Sequence, residues 1–135
     1  MDVVVPPASH AAALWAGLLI LLMLVLAVLV TRQRRRHHVL IGDNGVPELL
    51  RAQRVFGNAA EYLPAGIGAL AVLAVTGANS LLVHVVGALL FVGRIGHAWG
   101  LSRSEGVSIG RSGGILLTWL GFLIAGALLL FYAVP

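Results

Sequence analysis

The sequence predicts an all-α fold: an integral-membrane four-helix bundle forming a single domain over residues 1–135. Three observations predict it. Hydrophobic residues make up 59% of the chain and charged residues only 10%. The apolar residues gather in four stretches, each long enough to cross a hydrocarbon slab of about 30 Å, separated by short polar links. All nine basic residues are arginine, and all nine fall at or beside two of the three links. A chain of this length supports one domain. With no cysteine, disulfides and thiolate-held metals are excluded.

The first span covers residues 11–31. It reads as a retained helix and not a cleaved leader, because MDVVVPPASH before it has an acid and no Arg or Lys. The run after it, RQRRRHH, lacks a small-residue cleavage site. That run suits a topology anchor against anionic headgroups. His37 and His38 are adjacent loop residues without a third ligand, so no metal site is predicted. The second span covers 47–76. Pro47 suits its first turn after Asp43-Asn44-Gly45, and Pro64 is expected to bend it just beyond Glu61. GANS makes a tight turn into the third span, 80–99. A polar loop, GLSRSEGVSIGRSG, leads to the fourth, 114–134. Trp15, Trp99, Trp119, Phe131 and Tyr132 suit membrane belts or helix packing, and His10 and His84 an interfacial position. Glycines along spans two to four permit close helix contacts.

Orientation follows from the arginines. Arg32, Arg34, Arg35, Arg36, Arg51 and Arg54 lie around the first link, and Arg94, Arg103 and Arg111 around the third. The positive-inside rule makes both links cytoplasmic and puts both termini outside. A net charge of +4 on a soluble face would suggest nucleic acid. Here the cations adjoin membrane spans, so no nucleic-acid partner is expected.

The second span carries unusual polarity. Arg51, Arg54, Asn58 and Glu61 are spaced 3, 4 and 3 apart, which places them within an arc of about 80° on one helix face. Charge at bilayer depth costs about 2.5–3.5 kcal/mol per group on insertion scales, so it calls for a reason. Counting 1.5 Å per residue from the outer ends places Glu61 about 22 Å along helix two and Arg94 about 21 Å along helix three. The matched depth predicts an ion pair between them. His97 and Asn58 fall one level nearer the cytoplasm, while Arg111 and Ser112 stand at the start of helix four. Guanidinium forks suit carboxylates, and Glu61 suits an ammonium. The implied ligand is small, zwitterionic and net anionic, with a second substrate entering from lipid. The structural alternative is that these groups only hold the bundle together through interhelical hydrogen bonds.

The runs RAQRVFGNAAEYLP, FVGRIGH and GRSGG resemble the MAPEG family, the membrane-associated proteins of eicosanoid and glutathione metabolism. The resemblance covers Pro47 onward, and its four-span layout fits the whole chain. It implies a homotrimer binding glutathione between neighbouring subunits near the cytoplasmic face. Position by position, Arg54, Asn58, Glu61 and Tyr62 match the helix-two glutathione contacts, with Arg51 one turn earlier. Arg94 and His97 match the helix-three contacts, and Arg111 with Ser112 the pair beside the thiol. Several members carry a tyrosine one turn after the histidine, where this chain has Leu101.

The resulting expectation is a glutathione transferase or peroxidase acting on lipophilic electrophiles, with glutathione as cosubstrate and Arg111 and Ser112 as catalytic residues. A bacterial inner membrane is the expected location. Two other readings follow from the residues: a proton-coupled carrier using Glu61, and a catalytically silent family member.

Overall fold

A computed structural model describes residues 7–104 and 106–134. It contains α1 (Ala8–His37), α2 (Pro47–Val75), α3 (Ser80–Arg103) and α4 (Ile109–Ala133). All four helices are long and apolar enough to cross a membrane, and the chain is an integral membrane protein. The segment before residue 7, which bears on the retained-span reading, lies outside the described residues.

Each predicted span exists, but several boundaries move. α1 runs through RQRRRH to His37, six residues beyond the expected end. Arginine and glutamine are good helix formers, and cations at a helix C-terminus meet its negative dipole end. His38 then adopts a left-handed conformation, φ 53°. Arg34 Nη1 donates to the carbonyls of Val39, Leu40 and Gly42 at 3.4, 3.0 and 3.1 Å, fastening the loop to the helix that precedes it. α3 continues to Arg103 and α4 begins at Ile109. The expected fourteen-residue loop is therefore mostly helix. Ser108 explains the early start, because its hydroxyl accepts from the Arg111 backbone N–H at 3.2 Å and caps α4.

The turns behave as their residues dictate. Asp43 Oδ1 accepts from Gly45 N–H at 2.8 Å, and Pro47 opens α2. Asn79 caps α3 by accepting from Leu81 N–H at 2.8 Å. α2 continues through Pro64.

The helices do not form a square. α2 and α3 touch every other helix, whereas among the described residues no contact joins α1 to α4. The core between them is built from Leu19, Leu49, Leu63, Leu70, Leu73, Val83 and Val86. The outer face of α1 leaves Ile20, Leu21, Leu24, Val25 and Val28 exposed, as a lipid-facing helix should. Trp15 packs against Gly87, where a Cβ would overlap the indole. Its Nε1–H donates to His84 Nδ1 at 3.0 Å. His84 thus serves as a packing partner of α1 and not only as an interfacial group.

Candidate functional site at the basic end of the bundle

The site is framed by the closest helix contact in the protein. α3 presents Gly93, Gly96 and Gly100, and α4 presents Gly110, Gly114 and Thr118. A Cβ on Gly93 would sit 2.7 Å from Thr118 Oγ1 and 2.9 Å from the Gly114 carbonyl. One on Gly100 would overlap the Arg111 backbone nitrogen, and one on Gly114 the His97 nitrogen. Small residues let the backbones meet, as membrane helix pairs commonly do. The consequence is positional: the first turn of α4, with Arg111, is held against the last turns of α3, with His97 and Leu101.

The predicted ion pair between Glu61 and Arg94 does not form. Arg94 is 2% exposed. Its Nε–H donates to Thr118 Oγ1 at 2.9 Å and its Nη1–H to Asn58 Oδ1 at 2.8 Å. The guanidinium lies over the Tyr62 ring, 4.6 Å from the centroid. Thr118 is fully buried, and its hydroxyl donates onward to the Gly114 carbonyl at 2.9 Å. The correction has a helical reason. Asn58 and Tyr62, four apart, share the stripe facing α3, whereas Glu61 lies about 100° around the helix from Tyr62. Depth was matched but azimuth was not. Arg94 Nη2 is buried and has no hydrogen-bond partner among the described residues.

This arrangement decides how Asn58 presents itself. A guanidinium only donates, so Arg94 must take the Asn58 oxygen, and the Asn58 amide N–H groups are left for the other side. Asn58 lines a cavity of about 220 Å³ together with Gln53, Arg54, Gly57, Glu61, His97, Leu101 and Arg111. A second cavity of about 270 Å³ adjoins it, lined by Pro47, Leu50, Arg51, Arg54, Leu101, Ser104 and Arg111. The shared residues Arg54, Leu101 and Arg111 make the two one continuous groove between α2, the end of α3 and the start of α4. Arg54 and Glu61 are exposed there, while His97 is buried.

Of the predicted site residues, the structure therefore gathers Arg54, Asn58, Glu61, His97 and Arg111 around one cavity, with Arg51 in the adjoining one. Arg94 lies behind Asn58. Tyr62 sits behind the cavity wall, between Arg94 and the Phe122 ring, whose centroid is 5.9 Å away. Ser112 occupies the first turn of α4, half-buried, and is not part of the lining. Three contributors were not singled out from sequence: Gln53, Gly57 and Thr118. The spacing Gln53–Gly57–Glu61, four and four, was an available signal for the first two. Thr118 gave none, being one hydroxyl in an apolar span.

The cavity is lined by donor groups on Arg54, Asn58, His97 and Arg111 and by acceptors on Gln53 and Glu61. The profile of the MAPEG family matches residues 12–131. The chain belongs to that family. It is also 35% identical, over 86 residues, to "Inner membrane protein YecN" of Escherichia coli strain K12 and to the protein of the same name from strain CFT073. That match covers 64% of this chain and 64% of the length of each relative. Among the positions the MAPEG resemblance singles out, Leu101 lines both halves of the groove. The aliphatic side chain thus occupies the wall where several members carry a phenol.

Proposed function

We propose that the protein is a glutathione-dependent enzyme of the inner membrane, transferring the thiol to lipophilic electrophiles or reducing lipid hydroperoxides. One observation carries the reading: Arg54, Asn58, Glu61, His97 and Arg111, from three helices, converge on one polar cavity in an otherwise apolar chain. Two carboxylates and an ammonium, the charges of glutathione, match four donors and an acid better than they match bundle packing alone. The YecN relatives, named as inner membrane proteins, support the location. The basic end faces the cytoplasm by the arginine distribution, and a homotrimer would complete the open side of the groove.

In this reading Arg54, Asn58 and His97 hold the carboxylates, and Arg94 keeps Asn58 in its donating orientation. Arg111, with Ser112 beside it in the first turn of α4, holds the sulfur. A free thiol has a pKa near 8.5, lowered beside a cation or a helix N-terminus, and this site offers both. In transfer, the thiolate sulfur forms a bond to the electrophilic carbon while the bond to the leaving group breaks and takes its electron pair. In hydroperoxide reduction, two glutathiones are oxidised to the disulfide, giving alcohol and water. Calorimetric titration of glutathione into the detergent-purified protein, followed by conjugation of a chlorinated aromatic, tests the reading. Absence of glutathione binding refutes it.

Leu101 favours a second reading, a family member that binds glutathione without turnover. Saturable binding with no conjugation and no hydroperoxide reduction would select it.

A further inference from the structure

Gly57 is unlike the glycines that join α3 to α4. A Cβ built on it meets nothing within 4 Å, so no neighbouring helix requires it to be small. Glycine disfavours a helix interior, and its usual structural return is close approach of something to the backbone. What borders it is the polar cavity, whose lining includes Gly57 itself.

Its neighbours on the same strip define what would approach. Gln53, Gly57 and Glu61 are four apart, so they form one strip about 80° wide and two turns, about 12 Å, long. Gln53 commits its Nε2–H to the Gly42 carbonyl at 3.0 Å, which leaves its own carbonyl oxygen available as an acceptor. The Glu61 carboxylate has no hydrogen-bond partner among the described residues. The strip thus offers two acceptors separated by bare backbone, beside Arg54 and Asn58 of the same helix and in one cavity with His97 and Arg111.

We propose that Gly57 is the point where glutathione lies directly against the α2 backbone, its ammonium on Glu61 and a peptide N–H on the Gln53 carbonyl. The inference rests on the glutathione reading above and adds to it a ligand orientation. N–H groups of the tripeptide meet the 53–57–61 strip, and its carboxylates meet Arg54, Asn58, His97 and Arg111.

The test pairs Gly57→Ala with Gly68→Ala. Both glycines are in α2 and both have open space at the Cβ position, but only Gly57 borders the cavity. Alanine should raise the thermal stability of the ligand-free protein in both variants. Titration with glutathione should show Gly57→Ala binding about 10-fold more weakly or worse, as an extra carbon in a filled contact does, and Gly68→Ala within about two-fold of wild type. N-acetylglutathione, which lacks the ammonium, should bind wild type about 10-fold more weakly than glutathione, and Glu61→Gln should erase that difference. Wild-type affinity in Gly57→Ala overturns the proposal and leaves the functional reading standing. An affinity loss accompanied by a changed native mass also overturns it, assigning Gly57 to a contact between copies. Failure of wild type to bind glutathione removes the functional reading itself, and this one with it.

Discussion

Replacing Thr118 by valine removes one hydroxyl and keeps the side-chain shape, so no cavity is left. What is lost is the acceptor for Arg94 Nε–H, 2.9 Å away in a site where the arginine is 2% and the threonine 0% exposed. Interhelical hydrogen bonds in membranes average only about 0.6 kcal/mol, with a maximum near 1.7. Hydrogen bonds to charged groups are worth about 1.5–3 kcal/mol. The second range applies here, because the stranded donor is a cation whose Nη2 already has no partner among the described residues. Thr118→Val should therefore cost about 2 kcal/mol. Thr118→Ser keeps the hydroxyl and loses one methyl, about 0.8 kcal/mol. Unfolding equilibria in mixed detergent would measure both. The expected order is wild type, then serine, then valine, although valine is the most apolar of the three. Valine as stable as wild type, or more stable than serine, would refute the assignment of Arg94 to Thr118.

Other expectations follow from the same geometry. Gly93→Ala places a Cβ 2.7 Å from Thr118 Oγ1 and should destabilise by about 1–3 kcal/mol, whereas Gly96→Ala, with its nearest atom at 3.6 Å, should be near neutral; the same unfolding assay separates them. Arg111→Ala should lower turnover about 100-fold or more while leaving glutathione affinity nearly intact, measured as kcat against Kd. Arg54→Ala should do the reverse, weakening affinity about 10-fold or more by loss of a charge-assisted contact. Trp15→Phe removes the donor to His84 and should cost about 1 kcal/mol, read by thermal unfolding.

What the sequence made legible was periodic. Four long apolar runs specify four spans, and the spacing of Arg51, Arg54, Asn58 and Glu61 specifies one polar face on α2. What escaped was azimuthal. Matched depth paired Glu61 with Arg94, but the partner of a buried guanidinium depends on which stripe faces it. Asn58 was on that stripe and Glu61 was not. Thr118 was invisible for a related reason, since its role exists only because Gly93 and Gly114 bring two backbones together around it. The early start of α4 was missed because RSGG reads as loop chemistry locally. The Ser108 cap and tertiary packing of those glycines override the propensity.

That no contact joins α1 to α4 among the described residues divides the labour of the chain. Among the described residues that line the groove none precedes Pro47, so its lining comes wholly from α2, α4 and the end of α3. α1 serves as its mooring, attached through the Trp15–His84 clasp and the Gly42 tether to Gln53. Its exposed apolar flank should accordingly accept other apolar residues at little cost to the groove, provided those two fastenings are kept.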